Sequence, residues 1–91
     1  MLEQVKLELR IKGSAFDAEI QSLIESAKID LSISGVANTN EADKLVYRAI
    51  VLYCKAHFGI DNPNSEKYLE SYTSLKTHMT LASGYRVDVT P

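Results

Sequence analysis

The sequence contains few of the residues that build disulfides, metal centres or long irregular loops. Its 91 residues include one cysteine, two histidines, two prolines, four glycines and no tryptophan. A single cysteine cannot form a disulfide within the chain, and no CxxC, HExxH or HxxxH spacing indicates a zinc site. We therefore expect no disulfide, no metal and no other cofactor.

An excess of positive charge is also absent. Ten Lys and Arg residues stand against twelve Asp and Glu residues, so the formal net charge is -2. Nucleic-acid-binding domains neutralise several phosphates with clustered cations, and this balance disfavours nucleic acid as the primary ligand. No apolar run reaches the roughly 18 residues of a membrane span, and the opening MLEQVKLELR lacks the apolar run of a signal peptide. The sequence thus predicts a cytoplasmic protein.

Apolar residues recur every three or four positions through most of the chain, which predicts an all-α fold. Glycines and capping residues divide this pattern into a small bundle of about four helices. The predicted boundaries are residues 2–11 ended by Gly13, Ser14 to Gly35, Asn40 to Phe58 ended by Gly59, and Asn62 with Pro63 to Gly84. Residues 1–84 should form one helical domain, because so short a chain has room for a single thin core.

The third predicted helix is apolar around nearly its whole circumference. Ala49, Ile50 and Tyr53 lie on one face, while Val51 and Cys54 help to fill the remainder. A helix of this kind is buried on several sides. We expect it to lie at the centre of the bundle or against a neighbouring subunit.

Residues 85–91, YRVDVTP, alternate apolar and polar side chains, which is typical of a β-strand. Tyr85, Val87 and Val89 alternate with Arg86 and Asp88. A lone strand completes its backbone hydrogen bonds only by pairing with a strand from elsewhere. We therefore predict a short extended C-terminal tail, and these five residues are the candidate partner-binding site.

Cys54 and His57, near the end of the third predicted helix, are the first candidates for a nucleophile or a metal site. Apolar neighbours should raise the pKa of the Cys54 thiol, because burial disfavours the thiolate. Only His78 and scattered carboxylates could complete a set of zinc ligands. His57 lies in the last turn, where a cation stabilises the helix dipole. We interpret Cys54 as a core residue and His57 as a helix C-terminal residue.

The remaining polar and aromatic residues also favour structural roles. Asp17 and Glu19 point in different directions on a helix, and we interpret Glu66 and Glu70 as solvated surface rather than an acid-base pair. The tyrosines, at positions 47, 53, 68, 72 and 85, are not interleaved with cations and should pack in the core or at interfaces. No glycine-rich phosphate loop is present. The sequence therefore predicts that the protein is not an enzyme.

Four segments, in order, resemble the head-tail connector (adaptor) proteins of tailed bacteriophages and prophages. They are EQVKLELRI, AFDAEIQSLIESAKIDL, RAIVLYCKAHFG and NSEKYLESYTSLKTHM. The resemblance covers residues 2 to about 82 and is carried by Phe16 and Asp17 at the opening of the long helix and by Tyr68 and Tyr72 before Leu75.

This resemblance implies a small helical structural subunit without a catalytic site. Members of the family form homo-oligomeric rings, commonly of about twelve copies, that lie beneath the portal and extend the DNA channel towards the tail. The implied partners are further copies of the chain, the portal protein and the next head-tail or tail component, with DNA passing through the channel without specific binding. The implied location is the head-tail interface of the virion, and the bacterial host cytoplasm during assembly.

Two other classes of protein remain as alternatives. A small helical DNA-binding or regulatory protein of prophage origin is the first, since the SGVANTN turn resembles the connection of a helix-turn-helix. Against it, the following helix is too apolar to enter a groove and offers only Lys44, Arg48 and Lys55 as basic contacts. A small enzyme is the second, and it lacks an activated nucleophile and a cofactor loop.

Overall fold

The computed structural model describes residues 1–59 and 62–82. These residues form four α-helices and no β-strand, so the predicted all-α bundle is confirmed. The helices are α1 (Leu2–Leu9), α2 (Asp17–Ile33), α3 (Lys44–His57) and α4 (Ser65–Leu81). The predicted helix end at Gly84 and the predicted tail, with Tyr85, Arg86, Val87, Asp88 and Val89, lie outside the described residues.

Helix α3 is the centre of the bundle, as its apolar circumference predicts. It packs against α1, α2 and α4. Its completely buried residues are Val46, Ala49, Ile50, Val51 and Cys54. Full burial of a large aliphatic side chain contributes roughly 1.5–3 kcal/mol to folding, so α3 supplies much of the stability of so small a domain.

Helices α2 and α4 each present an apolar stripe to the core. The buried residues of these stripes are Ile20, Ile24, Ala27 and Leu31 on α2, and Tyr72 and Met79 on α4. Phe16 lies four residues before Ile20, a spacing that predicts an inward-facing side chain, but it is 48% exposed. It precedes the first turn of α2 and meets Phe58 edge-on, with 5.5 Å between the ring centroids.

Helices α1 and α2 end in the same way, but only α2 uses the predicted glycine. Gly35 has a φ of 103°, in the region that glycine adopts without a Cβ penalty. At the end of α1, Arg10 (φ 60°, ψ 39°) adopts the left-handed conformation predicted for Gly13. The backbone N–H of Ile11 then donates to the Lys6 carbonyl at 2.9 Å, which completes a Schellman motif. A left-handed non-glycine residue costs about 1–2 kcal/mol, which the packing of Ile11 against the core offsets.

The predicted N-cap of α3 at Asn40 is wrong, because the helix begins later. Asp43 caps α3, and its Oδ1 accepts hydrogen bonds from the backbone N–H groups of Leu45 at 2.9 Å and Val46 at 3.3 Å. Asn40 Oδ1 accepts the N–H of Ala42 at 3.0 Å and so fixes the turn before the helix. Both residues are strong helix caps, and propensity alone does not choose between them.

Helices α2 and α4 also begin later than their caps predict. Ser14 does not cap α2; its carbonyl accepts the N–H of Asp17, the first residue of the helix, at 3.2 Å. Pro63 lies in the turn before α4 rather than at the first helical position. Asn62 anchors this turn, because its side-chain amide donates to the Lys55 carbonyl of α3 at 2.6 Å.

Candidate interaction surfaces

The residues that the sequence offers for nucleophilic or metal chemistry differ in their exposure to solvent. Cys54 is completely buried, and burial raises the pKa of its thiol to about 12. His57 is exposed at the end of α3, with its ring centroid 4.3 Å from that of Tyr53, and His78 is exposed on α4. Within residues 1–59 and 62–82, no group of three His, Cys, Asp or Glu side chains could hold a metal ion.

We predict that Cys54 reacts with a thiol reagent at least about a hundredfold more slowly in the folded protein than in denaturant, because access requires the core to open. Absorbance on labelling with and without guanidinium chloride measures both rates. Cys54 is the single cysteine of the chain, so the signal reports this thiol alone. Equal rates in the two conditions would show an exposed thiol and contradict the core assignment.

The carboxylate pairs are not assembled for acid-base work. Asp17 Oδ1 lies 2.9 Å from Lys6 Nζ, and this bond raises the pKa of Lys6 against the opposing effect of burial. Glu19 is exposed, and so are Glu66 and Glu70 on the outer face of α4. The Lys6–Asp17 pair joins α1 to the start of α2, so Asp17 has a structural role.

A polar cluster joins α2 to α4. The Tyr72 hydroxyl donates to Asp30 Oδ2 at 2.5 Å, and Lys76 Nζ donates to the same oxygen at 3.0 Å. Burial, with the neighbouring Asp30, raises the pKa of Tyr72 far above its usual value. Burial also opposes ionisation of Asp30, but the hydrogen bonds from Tyr72 and Lys76 outweigh it and hold the pKa of that carboxyl below its usual value. The cluster links α2 and α4 through an ion pair and a hydrogen bond. Tyr72 is buried between helices, as expected for a tyrosine that packs in the core.

A second polar cluster is centred on Glu8 of α1. Its carboxylate accepts the Tyr47 hydroxyl at 3.4 Å and lies 3.8 Å from Arg48 and 3.7 Å from Lys55. The same carboxylate lines a polar groove of about 770 Å³, which also includes Arg10 and Lys55. Because Lys55 is already paired with Glu8 and contributes to the fold, the groove is a poor site for an anionic ligand.

Several large apolar side chains face solvent. Leu7 is 78% exposed, Ile29 59%, Ile33 80% and Leu81 72%. Ile29 and Ile33 lie one turn apart on the outer side of α2. Single exposed apolar residues are ordinary, whereas neighbouring ones mark surfaces that bind other proteins.

The outer surface of α3 carries a basic patch, defined by Lys44, Leu45 and Arg48. Lys44 is the first residue of the helix, and Arg48 follows it by one turn. Leu45, between them in sequence, is 40% exposed. Cations near a helix N-terminus oppose the helix dipole, and like charges one turn apart repel by a few tenths of a kcal/mol. The patch is therefore unfavourable for the helix that carries it.

The outer surface of α4 carries the opposite arrangement, an acidic patch defined by Glu66, Leu69 and Glu70. The two carboxylates are one turn apart, and Leu69 is 42% exposed. From the sequence we interpret Glu66 and Glu70 as solvated surface, and Lys44 and Arg48 as two of the few basic contacts available to DNA. Neither interpretation relates the acidic pair to the basic pair. The signal that could have identified both is the same-sign spacing of i and i+4 on a predicted helix.

A small helical bundle that exposes apolar side chains and same-sign charged pairs has the features of a subunit of a larger assembly. A family model described as phage connector protein matches residues 1–86 of the chain. The chain therefore belongs to the phage connector protein family, and the resemblance to head-tail connectors is confirmed. It is a structural phage protein of the head-tail interface that associates with other head or tail proteins.

Comparison with curated proteins and with solved structures finds no match to this chain. In the part of the chain that the structure describes, no helix is long and apolar enough to cross a membrane. The helix-turn-helix alternative is disfavoured, because α3 packs against all three other helices, and Lys44 and Arg48 are the exposed Lys and Arg residues that it could offer to a DNA groove.

Proposed function

We propose that this chain is a non-enzymatic head-tail connector subunit that forms a homo-oligomeric ring, of about twelve copies, beneath the portal of a tailed phage or prophage. The observation that carries the proposal is the family match over residues 1–86. The ring extends the channel through which DNA passes and joins the head to the next tail component. Assembly takes place in the cytoplasm of the bacterial host.

Two properties of the chain support this role. Ile29, Ile33 and Leu81 remain exposed in the isolated subunit, as expected where neighbours complete the surface. The formal net charge is -2, so cations are not in excess and DNA can slide past without being held through its phosphates.

We further propose that residues 85–91 attach the ring to a head component by strand addition. Tyr85 lies at the base of this segment, and Val87 and Val89 alternate with Arg86 and Asp88, a pattern suited to pairing with a partner strand. Backbone hydrogen bonds to the partner supply affinity in this mode, and pockets for alternate side chains supply specificity.

Deletion of residues 85–91 should leave the helical circular dichroism and the melting temperature nearly unchanged while it weakens attachment to portal-bearing heads. Binding is measured by co-sedimentation of purified protein with heads, and ring formation by native mass spectrometry and negative-stain microscopy. A matched control replaces the segment with a Gly/Ser sequence of equal length. Unfolding of the deletion variant would place the segment in the core of the subunit, and undiminished head binding would refute the attachment role.

A further inference from the structure

The acidic patch lies in a groove along the outer face of α4. The groove has a volume of about 620 Å³ and is lined by Glu66, Leu69, Glu70, Thr73, Ser74 and Thr77. This lining contains two carboxylates, one large apolar residue and no cation. Among the ion pairs between described residues, none includes Glu66 or Glu70. A partner that presents an apolar side chain flanked by cations would complement this groove in both polarity and charge.

The basic patch of α3 has this composition. Leu45 offers the half-exposed apolar side chain, with Lys44 and Arg48 beside it one turn apart. Lys44 has no carboxylate partner among the described ion pairs. Arg48 has one, Glu8 at 3.8 Å, and its guanidinium lies 5.9 Å from the centroid of the Tyr47 ring. An acidic partner would relieve both the mutual repulsion of the two cations and the unfavourable position of Lys44 at the helix N-terminus.

We propose that the basic patch of one copy binds the acidic patch of the next copy, with Leu45 in the α4 groove beside Leu69. The inference rests on the ring proposed above and names the contact between its subunits. The two patches lie on different helices and are not paired with each other within the subunit. A contact between two different patches is heterologous, so it propagates from copy to copy and closes into a ring when the rotation allows.

Charge reversal tests this contact. One variant carries Lys44→Glu with Arg48→Glu, and another carries Glu66→Lys with Glu70→Lys. Each should weaken self-association at least about tenfold, because two attractions across the contact become two repulsions. A chain carrying all four substitutions should recover association, and so should an equimolar mixture of the two reversed proteins, because both patches are then again complementary. Sedimentation velocity and native mass spectrometry at low salt measure assembly.

Exposed charges outside the patches provide matched controls. Lys12→Glu, between α1 and α2, and Glu19→Lys, on α2, change charge in the same direction as the reversals of the basic and the acidic patch, and should leave association within about twofold of wild type. Circular dichroism checks that each variant is folded. Wild-type association should also weaken as salt rises from about 0.05 to about 0.5 M, because the charges across the contact are screened.

The possible results separate this contact from the ring itself. Wild-type rings together with undiminished assembly of both reversed proteins would refute the contact and leave the ring in place. If a charge-reversed protein loses head binding but still self-associates, its reversed patch binds another phage component. That result would also refute the contact between copies. A wild-type chain that stays monomeric at low salt and on portal-bearing heads would overturn both proposals.

Discussion

Ile50→Ala should lower the free energy of unfolding by roughly 2–5 kcal/mol, the range observed when a large buried aliphatic residue is truncated. Ile50 is completely buried on α3, the helix that contacts all three others, so little room exists for neighbours to collapse into the cavity. A domain of this size has only about 5–14 kcal/mol in total, so the variant should melt far below the wild type or fail to fold. Urea denaturation followed by circular dichroism measures the change.

Ile29→Ala provides the chemically identical control. Ile29 lies within α2 and is 59% exposed, so its truncation removes little buried surface, and alanine has the higher helix propensity. The control should remain within about 0.5 kcal/mol of the wild type. A loss below about 1 kcal/mol for Ile50→Ala would contradict the central position of α3.

Tyr72→Ala should cost about 3–5 kcal/mol, because it removes both the ring that anchors α4 and the hydroxyl that binds Asp30. Tyr72 is 2% exposed, and its ring meets that of Tyr53 edge-on at 5.3 Å. Tyr72→Phe keeps the ring and removes only the hydrogen bond to the charged Asp30 carboxylate, so its expected cost is about 1.5–3 kcal/mol. Thermal and urea unfolding of the two variants separates packing from polar contacts. If Tyr72→Phe proves as costly as Tyr72→Ala, the hydroxyl rather than the ring holds the two helices together.

The helices and the core could be predicted because each depends on a repeated pattern. Ile20, Ile24 and Leu31 recur at helical spacing, and a single irregular position does not disturb the pattern. Helix ends depend on individual hydrogen bonds. Asn40 and Asp43 are equally good caps in isolation, and only the packing of the finished helix decides between them.

Contacts between distant residues could not be predicted for a different reason. The Asp30–Tyr72 hydrogen bond joins residues 42 positions apart, and no local pattern encodes such a pairing. Tyr53, expected in the core or at an interface, is half-buried, and its ring contacts those of Tyr72 and His57. The charged patches were visible as sequence. The exposure of their side chains, and the absence of Lys44, Glu66 and Glu70 from the ion pairs between described residues, required the fold.

The packing order of the helices also bears on how quickly a subunit becomes available. Each helix packs against the helix that follows it, α1 on α2, α2 on α3 and α3 on α4. Helical domains with such sequence-local contacts fold within about microseconds to milliseconds. Synthesis at about 5–20 residues per second is far slower, so each chain should fold as soon as it leaves the ribosome. Assembly can then draw on finished subunits, and its timing depends on their supply and on collisions between them.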